Sequence, residues 1–318
     1  MQKQSLRNYL AIARFDHWIK QIFIIPGVVA CLALIELPST KEALIRLCIN
    51  LMIGFLATSA VASANYVINE YLDANFDKFH PTKKFRSAVL TQMNPIIVYT
   101  EYIILAVIGL FLAWLVNRPF FFADLCLLVM GIVYNVRPIR TKDVPYIDVL
   151  SESINNALRL LLGWFIVTAD YLPPVTIVFG YWMGGAFLMA VKRFSEYRMI
   201  KEKNIAALYR KSFARYSEKS LLISGVFYAL LSIFFCGIFM IKYRIELLIA
   251  MPLFCALFCY YLNIAFKEDS SAQKPEKLFK EKGLMLLVMI TIIVTVAMMF
   301  INIPILNTLL DKAFIGVK

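Results

Sequence analysis

Nine stretches of this chain are each long and apolar enough to cross a hydrocarbon layer of roughly 30 Å, which takes about 20 helical residues. They lie near 18–37, 43–68, 94–116, 119–136, 147–168, 173–192, 219–241, 245–265 and 284–308. Lipid offers no water to unpaired N–H and C=O groups, so each stretch must satisfy its backbone internally as helix. The expected fold class is therefore an all-α polytopic membrane bundle of nine transmembrane helices. Composition agrees, since 61% of the 318 residues are hydrophobic and 17% charged, which excludes an ordinary soluble domain. The fourth stretch follows the third so closely, through Asn117, Arg118 and Pro119, that eight spans are also compatible with the pattern. All six cysteines sit in apolar runs without a CxxC pair, so they read as small hydrophobes rather than disulfides or zinc ligands. The basic start lacks an apolar core followed by a cleavage site, and no removed signal peptide is expected.

The net charge of +12 means little until its placement is seen. Nine crossings put Lys3 to Lys20, Lys78 to Arg86, Arg137 to Lys142, Lys192 to Lys219 and Lys267 to Lys282 on one side. The other side receives only scattered cations such as Lys41, Arg46, Arg118 and Arg244. That asymmetry reads as a membrane flank rather than a nucleic-acid surface, and makes the amino terminus and the functional face cytoplasmic in a cell (inner) membrane. One domain, 1–318, is expected, with cytoplasmic loops near 69–93, 134–147, 193–218 and 266–283.

Four groups of residues stand out. Asn65, Asn69, Asp73 and Asp77 recur every four positions and form one stripe of oxygen ligands if the helix continues through them. Two carboxylates with carboxamides above, and His80, Lys83, Lys84 and Arg86 beyond, suit Mg²⁺ and a phosphorylated substrate. Asn65 equally suits a helix–helix hydrogen bond, and Glu70 lies about 100° off the stripe. The second group is KRFSEYR, Lys192 to Arg198, where Lys192, Arg193 and Glu196 would oppose the acidic stripe across a cavity. The third runs from Arg137 to Arg159 and holds Lys142, Asp148, Glu152, Asn155 and Asn156. Arg159 lies deep in a span, where a cation is costly unless paired or wetted, so it is either a substrate ligand or an ion-pair partner of Glu152 or Asp148. In the fourth group, Arg14, Asp16, His17, Trp18 and Lys20, Trp18 suits an interfacial anchor and Lys20 a lipid phosphate. HExxH, GxSxG and the Gly-rich phosphate loop are missing from the sequence.

Asn69, Glu70, Asp73 and Asp77 at the end of the second span resemble the first aspartate-rich motif of the UbiA superfamily of intramembrane prenyltransferases, with Glu70 in the place of an Asp. The likeness covers nearly the whole chain and implies a UbiA-like nine-helix bundle. The family's second Asp-rich motif is replaced by Lys192, Arg193, Phe194, Ser195 and Glu196. That replacement, HPTKKFR from His80 to Arg86, and Arg14, Trp18, Lys20 and Pro26 are similar to the branch of decaprenyl-phosphate phosphoribosyltransferases. Lys142, six residues before Asp148, fits the same branch.

The resemblance implies Mg²⁺-dependent transfer of phosphoribose from phosphoribosyl pyrophosphate to a polyprenyl phosphate, with release of pyrophosphate. Asp73, Asp77, Lys192 and Glu196 would be catalytic, and Asn69, Asp73 and Asp77 would hold the metal. Lys20, Asn65, Asn69, Lys83, Arg86, Lys142, Asp148, Arg159, Arg193 and Tyr197 would bind substrate. Membrane lipids are the implied surroundings, and a homo-oligomer is compatible. Two rivals remain open at this stage. One is a conventional prenyltransferase acting on an aromatic or tetrapyrrole acceptor; the other is an anion or lipid transporter without chemistry.

Overall fold

In the computed structural model, residues 6–35, 40–80, 82–200, 203–267, 270–273 and 278–309 are described. The turn around Pro38 and much of the polar loop after Lys267 lie outside them. Every regular element among the described residues is helical. α1 (Leu6–Ile12) leads through a 3₁₀ segment (Phe15–Ile24) into α2 (Ile25–Leu34). Then come α3 (Lys41–Asp77), α4 (Ser87–Leu90), α5 (Pro95–Val116), α6 (Arg118–Asn135), α7 (Ile147–Val167) and α8 (Val175–Ile200). The chain finishes with α9 (Lys203–Tyr209), α10 (Glu218–Tyr243), α11 (Met251–Ala265), α12 (Lys282–Phe300) and α13 (Pro304–Leu309).

Eight of the described helical stretches are long and apolar enough to cross a membrane, so the protein is multi-pass. α7 has the length, at 21 residues, but its polar side chains keep it out of that set. Those side chains have a place to go, because α7 packs against α2, α6 and α8 and faces helices rather than lipid. Apolar length alone therefore supports eight spans, with α7 as a more polar helix inside the bundle.

The helices that matter for function run further than their apolar stretches. α3 starts where the Thr40 hydroxyl accepts from Ala43 N at 3.2 Å, and no Pro or Gly interrupts it between Gly54 and Asp77. Its 37 residues span roughly 55 Å against a hydrocarbon core of roughly 30 Å, so the turns carrying Asp73 and Asp77 stand clear of the apolar layer. α8 likewise runs to Ile200, so Lys192 to Arg198 form a helical end rather than the start of a loop. Asn117 separates α5 from α6: its side chain accepts from Phe120 N at 2.8 Å as an N-cap and donates to Phe165 O at 2.6 Å.

Two apolar cores flank the space between these ends. One joins α2, α3, α5, α6 and α7 around Phe120, Leu162 and Trp164, and the other joins α7, α8, α10, α11 and α12 around Phe187, Phe194 and Leu221. The first segment is held to α7 by two glycines. A Cβ on Gly27 would lie 2.0 Å from Leu160 O, and one on Gly163 would lie 2.0 Å from Ile24 O. Backbones approach this closely only without side chains between them, which is how tight helix pairs form in lipid.

Candidate active site

The ends of α3 and α8 face each other across a cavity of ≈ 370 Å³. Asp73 and Asp77 line one wall and Lys192 and Arg193 the other, the juxtaposition that the chemistry of the sequence required. Lys20, Asn65, Asn69, Lys83, Arg86, Lys142 and Arg159 also line it. Counted among the described lining residues, eleven are Lys or Arg and five are Asp or Glu. Such an excess of cations in a partly buried space favours anionic occupants.

The acidic wall is held by cations from neighbouring loops. Asp73 accepts from Arg140 Nη2 at 2.9 Å and from Lys142 Nζ, and Asp77 accepts from Arg86 Nη1 at 2.8 Å. Asn135, at the end of α6, ties the set together. Its Oδ1 accepts from Lys142 Nζ at 2.7 Å and from Asn69 Nδ2, and its backbone carbonyl accepts from Arg140 Nη1 at 3.0 Å. Arg140 sits in the left-handed region at φ 26°, a conformation that costs a non-glycine residue roughly 1–3 kcal/mol and is held by these bonds. Glu70 lies off the stripe but still lines the cavity, 3.9 Å from both Arg14 and Arg86. Asn65 serves as a helix tie: its Nδ2 donates to Leu127 O at 2.9 Å, and Gly131 leaves room for its amide.

At the basic wall, the two adjacent cations differ in kind. Arg193 is 1% exposed and faces three carboxylates, donating to Glu152 and, at 3.1 Å, to Glu196, with Asp148 3.7 Å from its Nε. Lys192 lines the cavity, and among the described residues no carboxylate lies within 4 Å of it. Asp148 and Glu196 are buried behind the wall and outside the cavity lining. Asp148 accepts from Tyr216 at 2.7 Å and Ser212 at 3.1 Å and lies 3.5 Å from Arg210, so it positions the basic loop. Tyr197 also lies outside the lining, edge-on to Phe213 at 5.6 Å.

The loop after α3 closes onto α9. Lys83 donates to the Tyr209 hydroxyl, sits 4.8 Å over that ring and lies 3.7 Å from Glu196. Burial lowers the Lys83 pKa, with Glu196 opposing it. Burial also lowers Lys142 to about 8 despite the neighbouring Asp73. His80 Nδ1 accepts from the backbone N–H groups of Thr82 and Lys83 at 3.2 and 3.1 Å. Buried beside Lys83, its pKa falls to about 3, so it folds the loop as a neutral ring. Trp18 donates to Ser63 at 2.9 Å and joins the first segment to α3.

Arg159 forms neither of the expected ion pairs, because Glu152 and Asp148 are taken by Arg193 and Arg210. Residues missed in the sequence include Tyr134, Asn135, Tyr209 and Arg210, all lining the cavity. Asn135 had a signal, a polar residue ending an apolar stretch just before a basic loop. Tyr209 and Arg210 had none beyond an ordinary basic flank.

The donors fit a magnesium ion that takes most of its oxygens from substrate and water. Asp73 and Asp77 stand one turn apart on the cavity side of α3 with Asn69 on the same stripe. Among the described residues no three or more His, Cys, Asp or Glu side chains converge into a cage. Mg²⁺ is commonly held in this way, by one or two carboxylates plus phosphates.

The family model described as UbiA prenyltransferase family matches residues 23–290. Decaprenyl-phosphate phosphoribosyltransferase of Mycobacterium tuberculosis is 23% identical over 201 residues, 63% of this chain and 63% of that protein. The match thus spans less than two thirds of that relative's length. Among solved structures, a UbiA homologue from Archaeoglobus fulgidus bound to GPP and Mg²⁺ superposes with a TM-score of 0.67 at 20% identity, covering 92% of this chain and all of that one. The same homologue bound to DMAPP and Mg²⁺ gives a TM-score of 0.67 at 19% identity, covering 93% and 100%. These likenesses carry the UbiA fold.

Proposed function

We propose a function from one premise: this chain belongs to the UbiA prenyltransferase family. Its reaction is the transfer of 5-phosphoribose from phosphoribosyl pyrophosphate to a polyprenyl phosphate. The observation that carries this reading is the basic wall at the end of α8. Where a diphosphate-bearing lipid would call for a second set of carboxylates and metal, Lys192 faces the cavity and both neighbouring acids, Glu152 and Glu196, are bonded to Arg193. Two anionic substrates can meet there only if many cations screen them, and the lining provides that excess. The curated relative named for this activity points the same way.

In this reaction the bond from the ribose anomeric carbon to the diphosphate oxygen breaks, and pyrophosphate leaves with the electron pair. A lipid phosphate oxygen forms the new bond at that carbon. The nucleophile is already ionised at neutral pH, so no general base is needed. Lys83, Arg86, Lys142 and Arg140 surround the place where charge builds on the leaving group, and Lys192 faces them. Mg²⁺ held by Asp73 and Asp77, with Asn69 beside them, would add Lewis-acid neutralisation of the diphosphate. Arg86, Arg140 and Lys142, which hold Asp77 and Asp73 in this structure, are cations that a bound diphosphate would compete for, and the carboxylates so released would be the ones to hold the metal. Asp148 and Glu196 act through Arg193, Arg210 and Lys83 as positioning residues.

The test is direct. Purified protein with Mg²⁺, ribose-labelled phosphoribosyl pyrophosphate and polyprenyl phosphate should produce a lipid-extractable label, and chelation should stop it. Label that stays in the aqueous phase, together with transfer of a labelled isoprenyl diphosphate to an aromatic acceptor, would replace this reading with the conventional prenyltransferase.

A further inference from the structure

Arg159 differs from the other arginines of the cavity. Arg14, Arg86, Arg140, Arg193 and Arg210 each have a carboxylate within 4 Å. Arg159 has none among the described residues. Its partners are neutral acceptors: Gln21 Oε1 at 3.0 Å, Asn155 O at 3.4 Å and Asn156 Oδ1 at 3.5 Å. Asp124, on α6, makes no direct contact with it: both carboxylate oxygens of that residue lack a hydrogen-bond partner and no ion pair within 4 Å joins the two. A cation this far along a bundle helix is costly unless something compensates it.

The surroundings hold Arg159 in a fixed place. The glycine contacts at Gly27 and Gly163 clamp the first segment to α7 just beyond Gln21, which fixes the Gln21 amide against the guanidinium. Gly185 does the same for Asn156, because a Cβ there would lie 2.4 Å from its Nδ2. Two polar atoms at the site are buried without partners, the donor Gln21 Nε2 and the acceptor Asn155 Oδ1. Gln21 is 1% exposed and lies outside the cavity lining, bonded to the Arg159 guanidinium, while Asn155 and Asn156 line the cavity with Arg159.

We propose that Arg159, with Gln21 and Asn156, forms a second anion subsite, separate from the Asp73 and Asp77 end of the cavity, which takes the terminal phosphate monoester of the lipid acceptor. The inference rests on the function proposed above and assigns the two anions to different places. Phosphoribosyl pyrophosphate is soluble and meets the loop cations Lys83, Arg86 and Lys142. The lipid's phosphate reaches the cation set deeper in the helices, beside the apolar lining of Phe23, Leu188 and Met189. The guanidinium fork matches a phosphate oxygen pair, and Gln21, accepting from Arg159 Nε at 3.0 Å, holds the fork in place. A neutral acceptor without a phosphate would leave the Arg159 charge without an anionic partner, so the subsite selects phosphorylated lipids.

The experiment measures binding of polyprenyl phosphate, polyprenyl alcohol and inorganic phosphate to the full chain in nanodiscs, without phosphoribosyl pyrophosphate or metal. Wild type should bind the phosphate lipid at least roughly tenfold more tightly than the alcohol, and Arg159→Gln should remove that preference. Inorganic phosphate should protect Arg159 far less than the lipid; equal binding of both would make this a free-phosphate site and overturn the lipid assignment. Gln21→Glu covers the case in which Arg159→Gln fails to fold. It places a carboxylate against the guanidinium, keeps the helix contact and should compete with the lipid, weakening it at least roughly tenfold. Affinity for phosphoribosyl pyrophosphate, measured separately, should stay within about twofold in both variants. Variants that lose phosphoribosyl pyrophosphate and keep the preference for phosphorylated lipid would overturn the proposal. If no phosphoribosyl transfer occurs yet the Arg159-dependent lipid preference stands, the function fails and this subsite survives.

Discussion

Lys192 and Arg193 are neighbours in sequence but should respond in opposite ways to removal of their charge. Replacing Arg193 by Met deletes the cation that, among the described residues, alone contacts Glu196, Glu152 and Asp148 together, at 3.1 Å from the first and 3.7 Å from the last. Two of those acids are at most 1% exposed, so water does little to relieve them. Removing one member of a buried ion pair costs about 3–5 kcal/mol, a large part of the 5–15 kcal/mol that holds a typical domain together. Arg193→Met should therefore lower the temperature at which the detergent-solubilised protein stops eluting as a single species, with or without substrate. Lys192→Met removes no ion pair within 4 Å among the described residues, so stability should change by less than about 1 kcal/mol. KM for phosphoribosyl pyrophosphate should instead rise at least roughly tenfold, the loss of one charged contact. A double variant, Arg193→Met with Glu196→Gln, should recover about 1–3 kcal/mol of the single-variant loss, because one of the stranded charges is gone. Heat resistance of Arg193→Met equal to wild type, with a defect confined to substrate binding, would refute the division of labour between the two residues.

Asp73→Asn and Asp77→Asn should each reduce label transfer by about a hundredfold or more while the protein still elutes as folded material; undiminished transfer at saturating Mg²⁺ would remove these carboxylates from the metal site. His80 has a folded-state pKa of about 3 against an ordinary 6.5, so the unfolded chain binds a proton that the folded one refuses across that window, and stability must fall as pH drops. Between pH 7 and pH 5 the His80 contribution amounts to about 2 kcal/mol, and His80→Gln should flatten the pH dependence of thermal stability by that amount. Gly131→Ala places a Cβ 1.9 Å from Asn65 Oδ1 and should destabilise the protein by about 1–3 kcal/mol, measurable by the same thermal assay.

The division between Lys192 and Arg193 also shows what sequence can and cannot convey for such a chain. The stripe Asn69, Asp73 and Asp77 was legible because helical periodicity is local: four-residue spacing places these side chains on one face whatever they meet. Apolar length likewise revealed a membrane bundle, since lipid imposes the same requirement on every span. Opposition of the α3 and α8 ends was readable only as a chemical need, because an acidic stripe near the surface of a bundle calls for cations. Which cation turns toward the cavity depends on contacts 40 or more residues apart, such as Arg193 with Glu152 and Tyr134 or Lys142 with Asp73, and no local pattern encodes those partners. Asn65 illustrates the same limit: stripe and helix tie have identical spacing, and only Leu127 O and the vacancy at Gly131 decide between them. In a sequence with this many lysines and arginines, a basic residue acquires a role when its carboxylate is identified. Arg159, the one lining arginine without such a partner among the described residues, is for that reason the side chain whose substitution should separate lipid recognition from sugar recognition.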